Sequence, residues 1–240
     1  MPTGIIINVL SVFIGGIVGT FAGHLLSLDF KEKLNMIFGA CAMTMGINAI
    51  TEMENMPAVI FSVVVGTALG LAIHFGDKIT WACSKMELLV SKFLHQKSTG
   101  LSEEEFSNTL VTIIVLFCAS GTGIYGSIVS GMTGDQSILY SKSILDFFTA
   151  IIFACLLGAV VSVIAIPQFV IFMILFLLAG VIYPLTTPAM IGDFKACGGI
   201  LLLATGFRMI KVKMFPTADM IIAMILVMPV SYFWTSVLGM

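Results

Sequence analysis

From Phe147 through Gly192 the chain carries no Asp, Glu, Lys, Arg or His. A helix crosses the hydrocarbon core of a bilayer with about 20 apolar residues, so this one stretch suffices for two crossings. Backbone N–H and C=O groups in lipid must be satisfied within the structure, which leaves helices or closed barrels. Barrel strands alternate apolar and polar residues, whereas IIFACLLGAVVSVIAI (151–166) is apolar on all sides. The expectation is an all-α polytopic membrane protein. Composition agrees: 59% of the 240 residues are hydrophobic and 10% charged, against about 25% charged in a soluble domain. A net charge of -2 with no basic stripe argues against nucleic acid as a partner. The bilayer itself is the first partner.

The apolar runs predict about eight transmembrane helices, over 4–28, 34–50, 57–76, 109–132, 143–165, 168–188, 194–211 and 217–238. The second and seventh are short. The turn between the fifth and sixth falls at Ile166 and Pro167, where proline suits a first helical turn. MPTGIIINVLSVF has no Lys or Arg before its apolar run, so it reads as a retained span and not a cleaved leader. With the N-terminus outside, nine of the eleven basic residues fall on the inner side: Lys31, Lys33, Lys78, Lys85, Lys92, Lys97, Arg208, Lys211 and Lys213. Only Lys142 and Lys195 lie outside. The positive-inside rule therefore places both termini outside the membrane.

Between the third and fourth spans, residues 77–97 place Ile79, Ala82, Cys83, Met86, Leu89, Val90 and Phe93 at helical spacing. This predicts an amphipathic helix that continues span three or lies on the inner leaflet. Ser102 and Glu105 then read as a capping box that opens the next helix. His24, near an inner boundary, reads as a packed or hydrated histidine.

Residues 16–31 (GIVGTFAGHLLSLDFK) and 180–195 (GVIYPLTTPAMIGDFK) match at Gly16 and Gly180, and at Asp29-Phe30-Lys31 and Asp193-Phe194-Lys195. GINAI (46–50) is similar to GFRMI (206–210), and Pro57 and Pro216 open the spans that follow. Helices 1–3 then correspond to helices 6–8. The offset of five spans is odd, so the copies face opposite ways across the bilayer, the usual build of a secondary transporter. The expected organisation is a three-helix repeat (1–76), an inner amphipathic helix and loop (77–107), a central two-helix insert (108–166) and an inverted three-helix repeat (167–240).

The central insert holds CASGTGIYGSIVSGMTGD (118–135) and KSILDFFTA (142–150). Gly126-Ser127, Gly131 with Gly134-Asp135, and Lys142-Ser143 with Asp146 resemble the signature of the bacterial YqgA/YdfK-like membrane proteins, the family named domain of unknown function 554. Gln168 after Pro167, and Gly198-Gly199, also resemble it, and the likeness runs over almost the whole chain. It departs at Cys118, which Ala-Ser-Gly follows. The resemblance implies a bacterial inner-membrane protein of the transporter class and supplies no substrate.

The candidate binding residues are Asp135, Lys142, Ser143, Asp146, Ser127, Gln168, Asn48 and Arg208. Asp135 closes the fourth span, Lys142 and Ser143 open the fifth, and Asp146 lies in its first turn. Lys142 and Asp146 are four apart and can pair on one face. An acid between Ile144-Leu145 and Phe147-Phe148 should face the protein interior, because a lone Asp in a span costs about 2.5–3.5 kcal/mol. Asn48 and Arg208 occupy matching places in the repeat, although Arg208, beside Lys211 and Lys213, also suits a snorkelling role. Asn8 is a further polar residue at depth. Gly121, Gly123, Gly126 and Gly131, with Ser and Thr on several faces, allow a broken fourth helix. Gly15, Gly19 and Gly23 read as a close helix contact.

The five cysteines are scattered and the methionines fill apolar positions, so neither a metal nor another cofactor is expected. No nucleophile elbow, Walker loop or HExxH motif occurs, and an enzyme is not expected. The leading reading is a secondary transporter of a small solute or ion. An oligomeric channel, hence a homo-oligomer, and a structural subunit without transport are the alternatives.

Overall fold

Glycines, prolines and capping hydroxyls set the helix ends in the computed structural model, which describes residues 1–22, 27–91 and 103–236. The order is α1 (Thr3–Ala22), α2 (Leu28–Ile50), α3 (Met56–Ala72), α4 (Phe75–Ser91), α5 (Glu103–Cys118), α6 (Gly121–Thr133), α7 (Ser137–Leu157), the short α8 (Val160–Val163), α9 (Ala165–Ile182), α10 (Pro188–Met209) and α11 (Ile221–Ser236). No strand occurs among the described residues. His24 and the Ser102–Glu105 capping box lie outside what is described.

Among the described residues, five segments are long and apolar enough to cross a membrane: Thr3–Phe21, Thr109–Thr133, Ser137–Leu157, Val160–Leu185 and Pro188–Met209. They become six if α3 and α4 form one broken span. Eight spans were expected. α2 has the length but carries Asp29, Lys31, Glu32 and Lys33 in its first six residues, and α11 is apolar but only 16 residues long. α2 and α10 are not the short helices expected. The polar stretches Asp29–Lys33 of α2 and Asp193–Lys195 of α10 are helical, and Thr187 Oγ1 caps α10 by accepting from Met190 N at 3.3 Å. Pro216 does not open α11, which begins at Ile221. Nor does the chain turn at Pro167. It turns at Gly158, whose φ of 72° admits a left-handed residue after α7.

The chain divides into two units, Met1–Leu34 with Ile79–Ala179, and Asn35–Lys78 with Gly180–Met240. They interleave along the sequence. In the first unit α1 and α7 lie in close contact, because Gly15 and Gly19 let α1 approach the carbonyls of Phe147 and Ile151. Val12, Leu110, Ile113, Phe117, Leu157 and Ile164 belong to its core. Ile79, Cys83, Met86 and Val90 of α4 pack into that core. Part of the apolar face of the expected amphipathic helix is thus covered by protein, while Ala82 and Leu89 remain exposed.

In the second unit α2 and α10 cross antiparallel at two glycine pairs. A Cβ on Gly46 would stand 2.6 Å from Gly199 O, and one on Gly199 the same distance from Gly46 O. Gly39 and Gly206 repeat this reciprocity at 3.0 and 2.7 Å. α3 meets α11 in the same manner, with Gly66 against Ala223 and Gly70 against the carbonyl of Asp219. Gly46→Ala is expected to cost about 1–3 kcal/mol, since the obstacle is backbone and cannot rotate away. Thermal melting of the purified variant checks this.

The two Asp-Phe-Lys segments matched in sequence occupy unlike environments. Asp29 is exposed and pairs with Lys33 at 2.8 Å. Asp193 is fully buried. The second is the sixth residue of its helix, the first only the second of its own, so the match is one of letters and not of position.

Candidate functional site

α7 starts at Ser137, six residues earlier than its apolar run suggests. Gly134, at φ 77°, ends α6, and Asp135 Oδ1 accepts from Ser137 N at 2.9 Å and Ser137 Oγ at 2.6 Å, opening the next helix. Lys142 and Asp146 therefore sit in the second and third turns of α7, not at its mouth. They are 3% and 6% exposed. Lys142 Nζ donates to both carboxylate oxygens of Asp146, at 2.9 Å to Oδ1 and 2.7 Å to Oδ2.

Two neighbouring helices add amides. Asn8 of α1 donates from Nδ2 to Asp146 Oδ2 at 2.9 Å. Gln168 of α9 donates from Nε2 to Asn8 Oδ1 at 2.8 Å, and more weakly to Asp146 Oδ2 at 3.5 Å. The pair is thus clasped by three helices in the first unit. A buried ion pair needs such added hydrogen bonds, because desolvation can exceed the Coulombic gain.

The fourth span breaks beside this pair. α5 ends at Cys118, and Ser120 caps α6 by accepting from Gly123 N at 3.2 Å. A Cβ on Gly123 would meet Lys142 Cε at 3.1 Å, and one on Gly126 would meet Leu139 Cδ2 at 3.0 Å. This antiparallel register puts Asp146 level with Ala119 and Ser120. The first amides of α6 have no carbonyl behind them in their own helix, and they carry its positive end to the level of the ion pair.

Gln168 Oε1, at this site, is buried and makes no hydrogen bond. Ser127 Oγ on α6 is buried without a bond too, but the same register sets it level with Ile138, roughly 12 Å along α7 from Asp146. Ser143 is turned to its own helix, donating from Oγ to Leu139 O at 2.6 Å.

The remaining candidates stand elsewhere. Asp135 serves the α6–α7 turn, roughly 14 Å along the axis from Asp146 at 1.5 Å per residue. Asn48 is exposed near the end of α2. Arg208 Nη1 donates to Phe215 O at 3.1 Å and Thr217 Oγ1 at 2.8 Å, pinning the segment after α10. The α2–α10 crossing is antiparallel, so Asn48 and Arg208 lie towards opposite ends of it and do not form one pseudo-symmetric site. Among the described residues, no three of His, Cys, Asp and Glu stand together as metal ligands.

Sequence reasoning passed over three participants. Asn8 was visible as a polar residue in a span, but nothing in the sequence pointed it at Asp146. Gln136 Oε1 accepts from Gly4 N at 3.0 Å and Ser130 Oγ at 2.9 Å, tying α1 and α6 to the head of α7. Asp193 was quoted only as part of a repeat.

Multiple apolar helices with ion-paired, amide-clasped charges buried among them define a multi-span α-helical membrane protein. Residues 3–232 match the family described as "Protein of unknown function (DUF554)", and the chain belongs to that family. It is 43% identical over 236 residues to the "Uncharacterized protein YqgA" of Escherichia coli (strain K12), covering 98% of this chain and 99% of the relative. It is 25% identical over 237 residues to the "Uncharacterized membrane protein YdfK" of Bacillus subtilis (strain 168), covering 99% and 98%. No solved structure matches.

Proposed function

We propose that the protein is a secondary transporter of a small solute or ion in the bacterial inner membrane, with both termini outside. The observation that carries this is the Lys142–Asp146 pair. Ionisable residues inside spans are costly and mark substrate or ion pathways by default, and this pair lies level with a break in a helix, where carriers build their sites.

The reading includes an inverted repeat, and three pairs of matched positions support it. Gly39 and Gly199, Gly46 and Gly206, and Asn8 and Gln168 are each 160 positions apart. The reciprocal glycine contacts are those a two-fold axis between α2 and α10 produces. The same offset relates the two amides that clasp Asp146, one from the first helix of each repeat. Eight spans follow if α2, the α3–α4 segment and α11 also cross. The two copies, facing opposite ways, give two conformations of similar energy, as alternating access requires. The protein is then a carrier and not a catalyst.

The test is thermal unfolding of the detergent-solubilised chain against ions, amino acids, carboxylates, polyamines and sugars, followed by uptake into vesicles. A ligand at 100 times its Kd adds about 2.7 kcal/mol of stability. One solute class is expected to stabilise the protein and to enter vesicles with saturation. A flux that never saturates would make it a channel, and no shift with no flux would make it a structural subunit.

A further inference from the structure

We infer that the solute is a small zwitterion, an α-amino acid inserted between Lys142 and Asp146. The inference rests on the transporter reading and names its substrate class. The site presents one positive and one negative side chain, both more than nine-tenths buried. A ligand of net charge would leave one of them facing a like charge or no partner. A ligand bearing both poles and no net charge leaves each with a partner.

The unspent hydrogen-bonding groups fit the same ligand. An ammonium has three N–H donors, and Lys142 finds only Asp146 as an acceptor among the described residues. The N-terminus of α6 brings a second positive pole to that level. Two positive poles thus stand level with one carboxylate, Asp146, which suits an incoming carboxylate on the Lys142 and α6 side. Gln168 Oε1 is a buried acceptor without a donor. Its own Nε2 is held on Asn8, so the carbonyl cannot turn to serve the network. An incoming ammonium satisfies it together with Asp146. The approach of Phe172 to Gly123 leaves no room for a large side chain and restricts the ligand to small members of the class.

Other charged or titratable groups do not supply these poles. Asp135 is occupied at the head of α7.

The experiment compares L-alanine with two near-isosteres, L-lactate, which lacks the ammonium, and L-alaninol, which lacks the carboxylate. Thermal protection of the full chain in detergent is titrated with each. L-alanine is expected to bind at least about tenfold more tightly than either, since each isostere forfeits one charged hydrogen bond. The double variant Lys142→Met, Asp146→Leu removes both poles without stranding either charge, and L-alanine is expected to give it no protection. Equal protection by L-lactate or L-alaninol overturns the zwitterion, as does protection of the double variant by L-alanine. Protection only by a sugar or an inorganic ion overturns it too but leaves the transporter reading intact. Protection by nothing in either panel sinks both.

Discussion

Lys142→Met on its own is expected to cost about 3–5 kcal/mol of stability, because it leaves the Asp146 carboxylate buried without its cation. Asn8 and Gln168 would still donate to that carboxylate, but two neutral amides do not replace an ammonium held at 2.7 and 2.9 Å. Asp146→Leu on its own should cost a similar amount, since it strands the ammonium. The double variant Lys142→Met, Asp146→Leu removes both charges, and buried pairs replaced by apolar residues are often neutral or more stable. It is expected to regain most of the wild-type melting temperature. If the pair only clasps helices, the double variant is as active as the wild type. If the pair is the transport site, the double variant is folded and inert. Melting and solute uptake on the same four preparations separate these outcomes. Single variants as stable as the wild type would mean that water reaches the pair.

How much of this was legible in the sequence depends on the range of the interaction. The four-residue spacing of Lys142 and Asp146 is a local fact, and it was enough to pair them. Their depth was not local. SILYSK reads as a loop because it is polar, yet Gly134 and Asp135 start the helix before it, and two turns of α7 then carry the pair inwards. The break in the fourth span was legible as an excess of Gly and Ser, while its position at Ala119–Ser120 depends on which hydroxyl caps. The convergence of Asn8 and Gln168 on Asp146 was illegible, since helices apolar on all faces show no preferred side and give no azimuth. Asn48 and Arg208 failed as a pair for a related reason. A repeat tells which residues correspond, and an inverted one sends corresponding residues to opposite ends.

Asp193 carries the second large effect, in the other unit. It is fully buried and, among the described residues, has no cationic partner, for Lys195 pairs with Glu52 instead at 2.5 Å. Its Oδ1 accepts from Glu54 N at 3.0 Å and Asn55 N at 2.7 Å. Its Oδ2 accepts from Asn55 Nδ2 at 3.0 Å and Ser231 Oγ at 2.6 Å. One carboxylate from α10 thus closes the amides that open α3 and holds α11 as well. Gly192 makes this approach feasible, since a Cβ there would stand 2.5 Å from Glu52 O. Asp193→Ala is expected to cost about 3–5 kcal/mol, as hydrogen bonds to a charged group are lost and backbone amides are left unsatisfied. Asp193→Asn should recover part of that loss. Its Oδ1 can still accept from Glu54 N and Asn55 N, and its Nδ2 can donate to Ser231 Oγ, which accepts as well as donates, once the Asn55 amide turns its oxygen inwards. It does not restore the charge that strengthens those bonds. Asp29→Ala is the matched control, because an exposed i,i+4 pair contributes at most about 0.5 kcal/mol. Melting temperatures of the three variants decide the matter. If Asp193→Asn melts with the wild type, the hydrogen bonds suffice without the charge, and the α3 opening does not depend on a carboxylate.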